Sequence, residues 1–180
     1  MYEQHRIADN IEEYLGEKKN SCCFTGHRNI DDSKKPELLK RLKATISYLY
    51  SENGVNEYYA GGAVGFDTMA AVLIIDLKRI HTDMRLILEL PYRGQSKKWS
   101  DNDKRIYDFI LSCADEVHYA SDRDPKNSHE NTIFMHKRDQ ALVDNSLYCV
   151  AYYSGGKGGT GYTVNYAAEN GLEIINLYDE

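Results

Sequence analysis

The feature that most constrains this chain is an alternation. Short strand-like runs at residues 21–25, 55–60, 84–90, 116–120, 147–153 and 172–177, the central ones mostly continuous in apolar residues, are each followed or preceded by a stretch of helical spacing. Leu38, Leu39, Leu42, Ile46 and Leu49 share one helix face after Pro36, and Asn53-Gly54 ends it. Met69, Ala70, Leu73, Ile74, Leu77 and Ile80 mark the next helix, and a further one carries Ile106, Phe109 and Ile110 inward. Two more follow, from about residue 128 to Val143 and from Thr163 to Asn170. Strands that are apolar throughout, rather than at every second position, are buried on both faces. The pattern therefore predicts an α/β fold: a Rossmann-like three-layer sandwich with a mainly parallel sheet and helices on both faces. One domain over residues 1–180 is expected. Residues 1–20 form its helical extension, in which Ile7, Ile11, Tyr14 and Leu15 fall at near-helical spacing.

Composition enters as a filter. A chain of 180 residues with 42% hydrophobic and 28% charged residues buries a core of its own. No run approaches the roughly 18 apolar residues of a membrane span, and the opening residues lack a signal-peptide core. A cytoplasmic protein without a membrane partner is expected. Cys22, Cys23, Cys113 and Cys149 suit neither a disulfide scaffold nor a CxxC zinc site, and the six histidines form no HExxH, so no metal is expected. The net charge of −6 is uneven: residues 1–100 are nearly balanced, and the acidic excess lies beyond them. Without a basic stripe, a nucleic-acid partner is not expected, but a small anionic ligand is compatible.

In an open parallel sheet, ligands bind beyond the carboxyl ends of the strands. Eight of the 13 glycines fall in two strand-end loops: Gly61, Gly62 and Gly65, then Gly155, Gly156, Gly158, Gly159 and Gly161. Such loops let a ligand approach the backbone closely, and the helix that follows favours an anion. Ser154 and Thr160 belong to the second loop, whose Gly156–Gly161 stretch has a formal GxGxxG spacing. Only one strand follows it, which leaves no place for the acidic residue of a dinucleotide fingerprint on a second strand. A phosphate or ribose-phosphate cradle is the reading carried forward. In the first loop, Ala63 precedes Asp67, a carboxylate placed either to cap a helix or to accept ribose hydroxyls. The first strand ends Thr25-Gly26-His27-Arg28, which offers a guanidinium for an anion and an imidazole for proton transfer or hydrogen bonding.

Four motifs in order carry a resemblance. Phe24-Thr25-Gly26-His27-Arg28, the Gly61–Asp67 loop, Pro91-Tyr92-Arg93-Gly94-Gln95 with Lys98-Trp99, and Gly158-Gly159-Thr160 with Thr163, Tyr166 and Ala167 resemble the SLOG superfamily. Within it, the YpsA/YspA-like branch is the nearest in pattern, over about residues 21–178. The resemblance implies a Rossmann-like core related to those of the DNA-processing protein DprA and the LOG phosphoribohydrolases. It implies a nucleotide-derived ligand, of ADP-ribose, NAD or nucleoside-phosphate type, and a role as sensor or regulatory module. No other cofactor is expected, and a homo-oligomer fits the habit of related families. Thr163 stands where the LOG pattern PGGxGTxxE has its glutamate, and the leading proline is missing, so the phosphoribohydrolase activity does not carry over directly.

The expected roles follow. Arg28 and residues 155–161 hold phosphate, residues 61–67 hold ribose, and Tyr92 or Trp99 stacks on the base, with Gln95 on a base edge or ribose. Trp99 has a second reading, packing at the start of the next helix. Asn131, Met135 and Arg138 share a helix face and form a wall of the site or merely core and rim. Two other classes of function stay open. An N-glycoside hydrolase or phosphoribosyl enzyme would use Asp67 as its carboxylate and His27 as a proton donor. A DprA-like single-strand binder would show strongly salt-dependent affinity for DNA.

Overall fold

The computed structural model describes residues 21–178; the helix expected over residues 2–15 lies outside them. The elements run β1 (Ser21–Gly26), α1 (Lys35–Asn53), β2 (Glu57–Ala60), α2 (Phe66–Leu77), β3 (Arg85–Leu90), α3 (Asp101–Cys113), β4 (Glu116–Tyr119), α4 (Ser128–Asp144), β5 (Tyr148–Tyr152), α5 (Gly159–Glu169) and β6 (Glu173–Asn176). All six strands are parallel, in the order β4-β3-β2-β1-β5-β6. The chain steps outward from β1 to β4 on one side, then returns to place β5 on the other side of β1. The order therefore reverses between β1 and β5, where Thr25 pairs with Ala151 and Gly26 with Tyr152. A crevice at the carboxyl ends of these two strands is the topological switch point.

Local chemistry explains the helices. Pro36 sits in the first turn of α1, and Gly54 closes it in the left-handed region at φ 68°, its N–H bonded to Leu49 O. Ser100 caps α3 by accepting from Asp103 N at 3.1 Å, and Asn127 caps α4 by accepting from Glu130 N at 2.9 Å. Helix α5 differs from both. It begins at Gly159, earlier than Thr163, and neither a side-chain cap nor an acidic residue serves its first turn. Gly159 and Gly161, read from the sequence as loop, form that turn.

Helices α1, α2 and α3 cover one face, where Leu42, Ile46, Phe66, Ile74 and Ile110 meet Phe24, Tyr58, Leu86 and Val150 of the strands. Helices α4 and α5 cover the other, over Cys23 and Cys149 with Leu142, Val143 and Ala167. The pleat of β1 thus sends Phe24 to one layer and Cys23 to the other. Three residues expected on inward helix faces are exposed instead: Leu39 at 42%, Ile80 at 73%, beyond the end of α2 at Leu77, and Phe109 at 49%, in whose place Tyr107 is buried. The reason is polar as well as apolar. Tyr107 Oη accepts from Gln95 Nε2 at 2.9 Å and its ring takes the edge of Trp99, which fixes the rotation of α3.

This packing predicts unequal costs along α3 and α1. Leu42→Ala or Ile110→Ala is expected to lower unfolding free energy by about 2–5 kcal/mol in chemical denaturation. Phe109→Ser should cost less than about 1 kcal/mol. Equal losses at residues 109 and 110 would contradict the observed rotation.

Candidate functional site

The carboxyl edge of the sheet holds a cavity of about 450 Å³. It is walled by the end of β1 (Thr25, Gly26, His27, Arg28), by Ala63 and Asp67 ahead of and within α2, by α4 and by the start of α5. Its floor is an ion cluster. Arg138 reaches from α4 across the strand ends, donates through an Nη1–H to Gly61 O, and places Nη1 3.9 Å from Asp67 Oδ2. Its Nε lies 2.7 Å from Asp139 Oδ1 without the alignment of a hydrogen bond. All three side chains are nearly buried: 9% of the Arg138 side chain is exposed, 7% of Asp67 and 5% of Asp139.

Two carboxylates around one guanidinium leave the floor short of positive charge. Burial accordingly raises the carboxyl of Asp67 to about 6, opposed by the charge of Arg138 and the Ala63 N–H. Asp139 is raised in the same way. At the rim, Arg28 makes no side-chain hydrogen bond or ion pair among the described residues. His27 is held differently: its Nε2 accepts from Ser154 N–H at 2.9 Å and lies 2.8 Å from Ser154 Oγ. Accepting a backbone N–H fixes the tautomer, with the proton on Nδ1.

The two glycine loops have different physical causes. In the first, the absent side chains make room for other parts of the protein. A Cβ on Gly61 would stand 2.2 Å from Arg138 Nη1, and one on Gly65 2.3 Å from Arg28 O. Gly26 is filled likewise by the ring of Phe66. In the second loop, a Cβ on Gly155, Gly156, Gly158 or Gly159 would meet nothing within 4 Å. Three of these take positive φ, but Gly159 does not, so neither backbone nor packing requires a glycine there. Tyr153 Oη donates to Gly156 O and holds the loop folded over α5, where Gly161 admits the contact.

Of the residues expected at a site, Thr25, Gly26, His27, Arg28, Ala63, Asp67, Arg138, Gly158, Gly159, Thr160 and Thr163 line this cavity. Gly61, Gly62 and Gly65 lie behind its wall. Ser154, Gly155 and Gly156 form the outer part of the second loop. The 91–99 loop does not bring its aromatic rings into the cavity. Trp99 packs on Tyr107 at 5.2 Å between ring centroids, and Tyr92 donates to Asn131 Oδ1 at 2.8 Å beside Phe134. Gln95 is engaged by Tyr107. Thr132, His136 and Tyr153 were not singled out, yet they line the cavity with Asn131 and Met135. The signal for two of them was present: Thr132, His136 and Asp139 fall at i, i+4 and i+7 on α4. Among the described residues no three His, Cys, Asp or Glu side chains gather as a metal site, and no helix is long and apolar enough to cross a membrane.

A family model, that of the YspA SLOG family, matches residues 22–174. The chain belongs to this family. Among curated relatives, the uncharacterized SPbeta prophage-derived protein YoqJ of Bacillus subtilis is 32% identical over 148 residues, covering 77% of this chain and 86% of YoqJ. A UPF0398 protein of Bacillus thuringiensis is 25% identical over 142 residues, 79% of this chain and 75% of its own. Among solved structures, DprA of Streptococcus pneumoniae superposes with a TM-score of 0.61 at 16% identity, over 89% of this chain. The chain spans half the length of that protein. DprA of Helicobacter pylori, solved for its single-stranded DNA binding mode, superposes with a TM-score of 0.62 at 14% identity, over 93% of this chain and 69% of its own. At these identities the likeness establishes the Rossmann-like fold of this SLOG member.

Two outcomes test the floor. Gly61→Ala is expected to destabilise by about 1–3 kcal/mol in denaturant titration, because the guanidinium of Arg138 must move; a neutral result contradicts its position. For Asp67, the folded chain holds a proton that the unfolded chain has released between about pH 4 and 6, so this group makes stability fall as pH rises through that window. The stability of the wild type relative to Asp67→Asn should therefore decline from pH 4 to about 6.5. A pH-independent difference would refute the raised carboxyl.

Proposed function

We propose that the protein binds a nucleotide-derived ligand at the carboxyl edge of the sheet and acts as a sensor or regulatory module. The observation that carries this reading is the open second glycine loop. Gly158 and Gly159 stand at the uncapped start of α5 with space where side chains would be. The first-turn N–H groups of a helix attract an anion, and Arg28 and Lys157 at the rim add charge to which a phosphate responds. Below, Asp67 and Asp139 supply carboxylate oxygens suited to ribose hydroxyls. Phosphate above and polyol below is the arrangement of a nucleoside phosphate or ADP-ribose. The base then has Met135 and His136 as its wall, His136 being stacked on Tyr162 at 3.9 Å between centroids, rather than Tyr92 or Trp99.

The same pocket supports an enzymatic alternative, cleavage of an N-glycosidic bond, with Asp67 as the carboxylate near the anomeric carbon. A carboxyl near 6 exchanges protons at neutral pH, which favours Asp67 for that role over an ordinary surface aspartate. A second reading comes from the fold neighbours. The H. pylori DprA was solved for its single-stranded DNA binding, which weakens the expectation, drawn from charge, that nucleic acid is no partner.

One experiment separates these. The protein is incubated with AMP, ADP-ribose, NAD and a short single-stranded oligodeoxynucleotide, with melting shift and product formation read together. Binding predicts a shift with the small ligands that Arg28→Ala abolishes. Gly159→Val, which changes stability by no more than about 1 kcal/mol, should abolish it too. Product released by the wild type and lost in Asp67→Asn makes the protein an enzyme. A shift only with the oligonucleotide, falling steeply with salt, selects the DNA reading. No shift with any small ligand overturns the proposal.

A further inference from the structure

A second cavity, also of about 450 Å³, opens at the same edge. It lies on the opposite face of the sheet from the first. Helices α4 and α5 wall the first cavity, whereas the second sits between the loop leading from β1 to α1 and the ends of β5 and β6. Its Tyr152 belongs to the core layer under α1–α3. The lining residues common to both cavities are His27 and Arg28. The imidazole of His27 is committed to Ser154, so the charged group free to act on both sides is Arg28.

The second cavity has its own ring-binding surface. Tyr152 and Tyr178 pack at 5.0 Å between centroids, and Lys34 Nζ lies 5.3 Å from the centre of the Tyr178 ring. A cation thus rests where an aromatic base would stack. The long, exposed stem of Lys34 lets it move aside toward a phosphate or a base acceptor. Asn29 and Asp31 supply polar atoms at the mouth.

We infer that this cavity is the subsite for the second nucleoside of a dinucleotide whose bridging phosphates cross Arg28. The inference rests on the nucleotide reading above and narrows it from nucleotide-derived ligands in general to two nucleosides joined through phosphate. Each cavity falls within the range of about 300–1,000 Å³ usual for small ligands. The pair flanks the β1–β5 switch point, where an open α/β sheet leaves its crevice. A guanidinium between them makes bidentate contact with a pyrophosphate. Two compartments joined over a single arginine fit a compact two-headed ligand. A DNA strand would need a basic track continuing beyond them, and the chain carries a net charge of −6.

The test is calorimetric titration of AMP, diadenosine pyrophosphate and a short oligodeoxythymidylate into the wild type, Tyr178→Ala and Lys34→Glu. The dinucleotide is expected to bind the wild type at least about tenfold more tightly than AMP, within the range that stacking on one aromatic supplies. Both variants should lose most of that gain and keep their affinity for AMP. Lys34 is exposed, so Lys34→Glu tests the subsite even where Tyr178→Ala disturbs packing. Equal affinity for AMP and the dinucleotide in the wild type overturns this inference and leaves the nucleotide site standing. So does a loss of AMP binding in Lys34→Glu that matches its loss of dinucleotide binding. Tighter binding of the oligodeoxythymidylate than of the dinucleotide overturns it in favour of a strand. No binding of any probe removes the nucleotide reading together with this one.

Discussion

One buried guanidinium organises the carboxyl edge of the sheet. Arg138 leaves α4 on one face of the sheet and ends against Gly61 O and Asp67 at the start of α2, which belongs to the other face. It therefore ties the two helical layers together at the end where parallel strands leave a crevice. Removing such a group from water is costly, and two carboxylates and a carbonyl offset that cost only because all three converge on it. Gly61 is part of the same interaction, since any side chain there would occupy the space of the guanidinium. The floor of the cavity is thus a buried, acidic ion cluster.

Above that floor the structure changes character. The first glycine loop is filled from within, and the second is left open. The difference separates two uses of the same residue type: Gly26, Gly61 and Gly65 permit close packing, whereas Gly158 and Gly159 leave open space where side chains would stand at an uncapped helix start. Helices α3 and α4 close their own amino termini with Ser100 and Asn127, so the openness of α5 is a local choice of sequence. Arg28 at the rim, with no side-chain hydrogen bond or ion pair among the described residues, makes the cavity acidic below and cationic above.

Much of this was legible in the chain. Apolar runs such as residues 21–25 and 84–90, continuous rather than alternating, announced buried parallel strands, and the glycine clusters fell where strand-end loops had to be. The motifs around Arg28, Asp67 and Gly158–Thr160 pointed to the SLOG family that the match to residues 22–174 establishes. What the sequence hid is three-dimensional. No spacing rule tells that Arg138 meets Gly61 across 77 positions, and so none tells a packed glycine from an open one. The outward turn of Phe109 and the inward turn of Trp99 follow from Tyr107, whose hydroxyl and ring recruit Gln95 and Trp99 from a separate loop. Helix α5 begins at Gly159 because its first turn is shaped by the loop folded over it through Tyr153, which helix propensity does not encode.

The central claim is that the uncapped start of α5 is an anion cradle above the Arg138 floor. The most direct measurement is the change in backbone amide chemical shifts, followed by heteronuclear NMR, as ADP-ribose is added. The account predicts that the amides of Gly158, Gly159 and Thr160 move furthest, as their N–H groups engage phosphate, with smaller changes along α1. Shifts that spare these three amides and appear elsewhere, or no shifts at all, would contradict it.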